Sequence, residues 1–316
     1  MGKSPRPRAT DTNRALGKKL AGAQAPARAQ GVQSSQGIAA GPQKSQPGTG
    51  PGREGTDMSA RGRWALVTGA TGGVGEQFCR QLAGQGWSLV LHGRDADRLM
   101  VLAGELGRRG ADVRTLVQDL SEQGGAQGLV GKVDALGIEP ELVVNNAGFG
   151  YAAPFAGSDA ERQRALVALN VASLTELSLT YSERMAKAGH GAIVNVASVA
   201  GVMPGPYMAT YYASKAYVLS LSQAMHEELR NRGVEVLAVC PGPVRTGFWD
   251  VAGTNTQGRN AFMLSPEEVV RIALVALRRG RAVCAPGLVS KACYAFGRST
   301  PGIVSRKVCA MFNRAK

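Results

Sequence analysis

The chain has 316 residues, 44% hydrophobic and 5% aromatic, with 42 glycines, five cysteines and a formal net charge of +14. This length can bury a full core, five cysteines are too few for a disulfide scaffold, and no apolar run of about 18 residues is present to span a bilayer. The charge lies at the ends: residues 1–57 carry nine Lys and Arg against three acids, residues 269–316 carry ten against none, and the stretch between holds 18 bases and 20 acids, so the central body is not a basic, nucleic-acid-binding one.

Residues 1–57 are rich in Gly, Ala, Pro, Gln and Ser and contain no aromatic residue. They show no sustained period of 2 or 3.6 and are expected to be disordered. Their Arg-rich, acid-poor character also matches an organellar transit segment, although Pro and Gly interrupt any amphipathic helix there. Met58, a few residues ahead of the first strand, reads as an alternative start, with the upstream segment then an extension of no function.

From Trp64 onward, short apolar runs alternate with longer segments of helical period. Strands are predicted at 63–68, 88–92, 112–118, 142–145, 191–197, 234–239 and 282–284, and helices near 74–84, 95–109, 122–136, 159–187, 208–231 and 265–279. This βαβ alternation predicts an α/β fold, a doubly wound parallel sheet of about seven strands with helices on both faces. Ser265-Pro266-Glu267-Glu268 supplies the last helix with a cap, a proline at its first position and acids in its first turn. One domain is expected over 58–280, followed by a basic, partly amphipathic extension over 281–316.

The first strand runs into Thr68-Gly69-Ala70-Thr71-Gly72-Gly73-Val74-Gly75, with a helix directly after it. Glycines in such a turn let the backbone approach a pyrophosphate closely, and the helix N-terminus offers N–H groups to it, so the turn predicts dinucleotide binding. The second strand exits at His92-Gly93-Arg94. An acid at this exit would bind a ribose 2′-hydroxyl and repel a 2′-phosphate, whereas Arg94 can pair with the phosphate, which favours NADP(H) over NAD(H). Arg94 is equally able to pair with Asp95 or Asp97, one of which is expected to cap the next helix, and His92 reads as structural. Asp119 ends the third strand and Asn145-Asn146-Ala147-Gly148 the fourth. By themselves these are a helix cap and a turn.

Tyr211 and Lys215, four residues apart in a predicted helix, share one face, so the ammonium can favour the ionised phenol. Ser198 follows the apolar strand Ala192–Ala197, where open α/β sheets bind ligands and where a hydroxyl can hydrogen-bond a carbonyl oxygen. Cys240 reads as a packing residue, and the five cysteines form no metal-ligand spacing.

Taken in order, TGxxxGxG, NNAG, Ser198 and YxxxK resemble the short-chain dehydrogenase/reductase family over residues 63 to about 250. The resemblance implies a Rossmann-type fold and hydride transfer between a nicotinamide and a carbonyl or alcohol. It assigns Tyr211 as general acid and base, Ser198 to polarise the carbonyl oxygen, Lys215 to the ribose hydroxyls and the Tyr211 pKa, and Asn170 to a water that completes a proton relay. It places the cofactor against Thr68, Gly69, Thr71, Gly73, Val74 and Gly75 of the turn and against Arg94. Asp119 and Leu120 would meet the adenine, and Asn146, Ala147 and Gly148 would lie along the cofactor. Pro241, Gly242, Val244 and Thr246 of the PG motif would cover the nicotinamide, with Tyr211 and Lys215 beside it. It also implies homo-dimers or homo-tetramers formed through the helices near 159–187 and 208–231.

Phe149, Tyr151 and Phe155, Met203, Pro204, Pro206, Tyr207 and Met208, and Phe248 and Trp249 are expected to wall the substrate site. Their apolar character suits a lipophilic carbonyl or alcohol. A cytoplasmic location is expected, with the basic 281–316 stretch read either as a contact with an anionic membrane surface or as a helix covering a sheet edge or a subunit contact. The alternatives are a 3-oxoacyl thioester reductase served by an acidic carrier, and a non-catalytic NADP-binding sensor or scaffold. No nucleic-acid partner is expected, because no basic groove with stacking aromatics can be placed.

Overall fold

The computed structural model describes residues 62–253 and 263–313; the expectations for residues 1–57 lie outside them. Seven parallel strands form one sheet in the order β3-β2-β1-β4-β5-β6-β7: β1 (Trp64–Thr68), β2 (Ser88–Gly93), β3 (Val113–Val117), β4 (Pro140–Asn145), β5 (Gly191–Val196), β6 (Val234–Val239) and β7 (Val283–Cys284). The central strands are apolar on both faces because both faces are covered. Alternate residues of β1 serve opposite sides: Ala65 and Val67 join one core with Leu89, Leu91, Val144 and Val239, while Leu66 joins the other with Val90, Val143, Ile193 and Val236. The first core is closed by α1 (Gly73–Gly84), α2 (Ala96–Arg108) and α8 (Pro266–Arg278), and the second by α3 (Gly125–Ala135), α5 (Leu174–Ala188) and α6 (Ala209–Leu229). β1 pairs with β2 on one side and β4 on the other, and the chain changes direction across the sheet at this point. A crevice therefore opens at the carboxyl ends of these strands.

Caps explain most helix starts. Asp95 accepts from the Arg98 N–H at 3.0 Å to begin α2, and Ser265 accepts from Glu268 N at 3.2 Å to begin α8. The helix predicted from 122 starts at 125, because Gly124, with φ 75°, turns the chain through the left-handed region first. The single helix predicted over 159–187 is broken: α4 (Ala160–Val167), capped by Asp159, passes into a π-helical stretch, Ala168–Ser173, before α5. A π turn inserts one residue without any Pro or Gly to mark it, so periodicity could not reveal it. A short helix α7 (Phe248–Ala252) was also not expected.

Beyond β7, α9 (Gly287–Ser299) and α10 (Gly302–Asn313) pack onto the body. A Cβ at Gly297 would lie 2.5 Å from Val202 Cγ2, so α9 presses directly on the turn that follows β5. The buried Ser290 hydroxyl accepts from the Gly242 N–H at 2.8 Å. Among the described residues no helix is long and apolar enough to cross a membrane.

Candidate active site

The glycine turn is fixed from behind. Thr68 Oγ1 donates to the Val144 carbonyl (3.2 Å) and accepts from the backbone N–H groups of Asn146 and Ala147 (both 3.0 Å). Asn146 Nδ2 donates to the carbonyls of Thr68 and Gly69, each at 3.0 Å. Gly69 has φ +63°, and a Cβ there would lie 2.9 Å from Ala147 Cα, so conformation and space both demand glycine. A Cβ at Gly73 would lie 2.5 Å from Thr246 Cγ2, and one at Gly75 2.2 Å from the Gly69 carbonyl. Thr68 and Gly75, expected against the cofactor, do not line the cavity described below; they shape the turn, Thr68 through the three bonds of its hydroxyl and Gly75 through its close approach to Gly69. Behind NNAG, the buried Asn145 amide donates to Asn195 Oδ1 (2.9 Å) and Ser178 Oγ (3.1 Å), and Asn195 Nδ2 to Ser222 Oγ (3.0 Å). This network ties β4 and β5 to helices on the second face.

At the exit of β2, Arg94 Nη1 lies 3.4 Å from Asp119 Oδ2. Burial would push the Asp119 carboxyl up, but hydrogen bonds from Ser121 and the Arg94 charge outweigh it and hold the group below its usual value, so Asp119 is ionised. Of the two acids expected as a cap, Asp95 takes the role. His92 is buried with Nε2 2.9 Å from the Gln118 carbonyl, and burial lowers its pKa to about 4, which keeps the ring neutral. Arg98, which the sequence reasoning passed over, donates from Nη2 to the Thr71 carbonyl at 2.7 Å.

Ser198 stands just beyond β5. Its hydroxyl accepts from the Ala200 N–H at 3.1 Å and lies 3.4 Å from the Pro241 carbonyl. Tyr211 and Lys215 sit one turn apart on α6, both buried, with Lys215 Nζ 5.8 Å from the Tyr211 ring centroid and donating to the Val196 carbonyl at 2.7 Å. Burial pushes the Tyr211 phenol up against the opposite pull of Ser198, and burial pulls Lys215 down to about 8. Desolvation of the phenolate dominates, and the phenol is protonated at neutral pH. Asn170 sits in the π-helical stretch and exchanges hydrogen bonds with the Phe149 backbone (N–H to Oδ1 3.1 Å, Nδ2 to C=O 3.0 Å) and reaches Ser214 Oγ at 3.2 Å. A Cβ at Gly148 would lie 2.9 Å from Asn170 Oδ1 and 3.6 Å from Lys215 Nζ, so Asn170 and Lys215 both close on Gly148. Tyr212 turns away from Lys215; its hydroxyl donates to Asn313 Oδ1 at 3.3 Å. Burial raises Cys240 to about 12, so it is a thiol and not a nucleophile.

These groups share one cavity of about 1120 Å³. One end holds Gly69, Thr71, Gly73, Val74, Arg94, Asp119 and Leu120. The middle holds Asn146, Ala147, Gly148, Ser198, Tyr211, Lys215, Pro241, Gly242, Val244 and Thr246. Of the expected substrate walls, Phe149, Met203, Met208, Phe248 and Trp249 line it. Tyr151, Phe155, Pro204, Pro206 and Tyr207 do not: Phe155 is 71% exposed, and the Tyr151 ring carries the Arg162 guanidinium at 4.6 Å. The far wall comes from α9 and α10, through Val289, Cys293, Phe296, Val308, Cys309 and Phe312. The amphipathic pattern of residues 281–316 was legible, but not the direction in which its apolar side faces. A glycine cradle at a helix N-terminus, opening into a cavity of this volume, fits a dinucleotide.

The family model for short chain dehydrogenases matches residues 63–257. The chain belongs to the short-chain dehydrogenase/reductase family. The chain is 32% identical over 218 residues to the very-long-chain 3-oxoacyl-CoA reductase of Neurospora crassa, covering 68% of this chain and 64% of that relative. Among solved structures, a short-chain dehydrogenase from Sphingobium yanoikuyae in complex with NADPH is 34% identical with a TM-score of 0.66, covering 70% of this chain and 86% of that one. The bulky-bulky ketone specific alcohol dehydrogenase from Comamonas testosteroni is 32% identical with a TM-score of 0.64, over 72% and 86%.

Proposed function

We propose that the protein is an NADP(H)-dependent oxidoreductase that interconverts an apolar ketone or aldehyde and its alcohol. The observation that carries this reading is the single cavity, with the glycine cradle and Arg94 at one end, Ser198, Tyr211 and Lys215 in the middle and an apolar wall at the other. A bound nicotinamide supplies the hydride in reduction and takes it in oxidation. Tyr211, protonated at neutral pH, donates its proton to the carbonyl oxygen, and Ser198 hydrogen-bonds that oxygen and holds it in line. Lys215, still an ammonium near neutrality, binds ribose hydroxyls and offsets the negative charge left on Tyr211. Asn170 holds the Phe149 backbone and, through a water that links Lys215 to solvent, completes the relay that returns a proton to Tyr211.

The turn residues Gly69, Thr71, Gly73 and Val74 take the pyrophosphate, Asp119 and Leu120 the adenine, and Arg94 the 2′-phosphate. Gly93 at the acid's position, together with the NADPH-bound Sphingobium structure, supports NADP(H) over NAD(H). The Comamonas enzyme is specific for bulky-bulky ketones, which agrees with a wall of Met203, Met208, Phe296, Val308 and Phe312. The Neurospora relative favours a second reading, reduction of a 3-oxoacyl thioester. For that substrate the ten Lys and Arg and no acid of residues 269–316 would attract a phosphate-bearing carrier. The same basic stretch, with Leu288 83% and Met311 72% exposed, supports contact with an anionic membrane surface. Exposed Leu179 and Tyr217 on α5 and α6 support self-association through those helices.

The test is NADPH oxidation by the full chain against apolar ketones of rising bulk, 3-oxoacyl thioesters of rising length and a small polar aldehyde. Turnover that rises with apolar bulk supports the first reading, and preference for thioesters over ketones of equal length selects the second. Turnover of the polar aldehyde alone overturns both.

A further inference from the structure

The first turn of α2 brings a second guanidinium to the adenosine end of the cavity. Asp95 caps this helix through the Arg98 N–H at 3.0 Å, which fixes the Arg98 backbone, and Arg98 Nη2 donates to the Thr71 carbonyl at 2.7 Å. Arg94 and Arg98 both line the cavity, beside Thr71, Gly93 and Asp119. The two arginines are not equivalent. Arg94 is 71% exposed at its side chain and shares its charge with Asp119 at 3.4 Å, a carboxylate held ionised by Ser121 and by Arg94 itself. Arg98 is bonded to a neutral peptide carbonyl, which orients the guanidinium without cancelling its charge.

We propose that Arg98 is the second arm of a clamp for the 2′-phosphate of NADP(H), with Arg94 as the first. This rests on the NADP(H) reading above and adds a specificity-determining residue to it. A ribose 2′-phosphate carries close to two negative charges near neutral pH, and it would enter a corner that already holds the Asp95 and Asp119 carboxylates. A single arginine half-neutralised by Asp119 leaves that corner short of positive charge. A planar fork fixed at the rim of the glycine turn supplies it, with several N–H donors beyond the one given to Thr71. Because the Thr71 carbonyl already holds the side chain in place, little further ordering accompanies binding.

The test is titration of the full chain with NADPH, NADH and 2′,5′-ADP, followed calorimetrically, for the native protein, Arg94→Gln, Arg98→Gln and Arg98→Lys. Arg98→Gln is expected to weaken NADPH and 2′,5′-ADP by about tenfold or more, the scale of a charge-assisted hydrogen bond. NADH binding should stay where it was, and Arg98→Lys should recover part of the loss. If Arg98→Gln leaves NADPH unchanged while Arg94→Gln weakens it, Arg94 acts alone and the clamp is refuted with the NADP(H) reading intact. Equal weakening of NADPH and NADH would mean that Arg98 only supports the Thr71 turn, which also overturns the proposal. A native protein with no preference for NADPH over NADH would remove the NADP(H) reading itself, and the clamp with it.

Discussion

Lys215 should be a residue that the chemistry needs and the fold would be more stable without. It is 6% exposed, and its ammonium donates to the Val196 carbonyl at 2.7 Å. Burial lowers its pKa from the usual 10.5 to about 8. The folded pKa lies below the unfolded one, so the unfolded chain holds this proton more tightly. The resulting penalty is fully present below about pH 8 and is relieved as pH rises from about 8 towards 10.5. At roughly 1.4 kcal/mol per pH unit the penalty is about 3 kcal/mol at neutral pH. Lys215→Met keeps the chain length and removes the charge, and losing the bond to Val196 gives back about 1 kcal/mol. The variant should therefore be more stable than the native protein by about 2 kcal/mol at pH 7, while losing activity. Urea unfolding at pH 7 and pH 10 on both proteins checks this, because the advantage must shrink at the higher pH. A variant less stable at pH 7, or a gap that does not move with pH, would refute the reasoning.

Three further outcomes follow from the turn and the far wall. Thr68→Val keeps the shape but strands the Asn146 and Ala147 N–H groups that Thr68 Oγ1 now accepts; it should lower the denaturation free energy by about 3 kcal/mol, whereas Thr68→Ser keeps those bonds and should lose about 1 kcal/mol. Gly73→Ala places a methyl 2.5 Å from Thr246 Cγ2, so dinucleotide affinity in calorimetric titration should fall by about tenfold or more, with a change of less than about 1 kcal/mol in stability. Asn313 donates to the Pro206 carbonyl at 3.1 Å and accepts from Tyr212 at 3.3 Å. Asn313→Ala should release the end of α10 and raise KM for a bulky ketone by about fivefold with kcat unchanged.

The parts of the fold legible in the sequence are those set by local pattern. Runs such as Ala65–Val67 and Val236–Val239 read as strands because each residue meets a covered face, and the Ser265-Pro266-Glu267-Glu268 start reads as a cap because its chemistry is local. The break at Ala168–Ser173 was not legible, since Ala-Leu-Asn-Val-Ala-Ser continues a helical pattern and only tertiary bonds from Asn170 to Phe149 distinguish it. The glycine turn, Ser198, Tyr211 and Lys215 could be singled out because short motifs place them. Arg98 could not, because its partner Thr71 lies 27 positions away in sequence. The same limit applies to α9 and α10. Their apolar residues are visible in the sequence, yet whether Phe296 and Phe312 face solvent, a membrane or a cavity depends on contacts such as Gly297 with Val202, which no periodicity encodes.

If Tyr211 transfers the proton in a nicotinamide-dependent reduction, Tyr211→Phe removes that proton and leaves the cofactor site in place. NADPH binding by calorimetry and single-turnover NADPH oxidation with the best ketone or thioester of the panel should be measured on the same preparation. The account predicts NADPH affinity close to that of the native protein and a rate lower by about a thousandfold, the scale of general acid catalysis. A variant that binds NADPH normally and reduces the substrate within about tenfold of the native rate would contradict it.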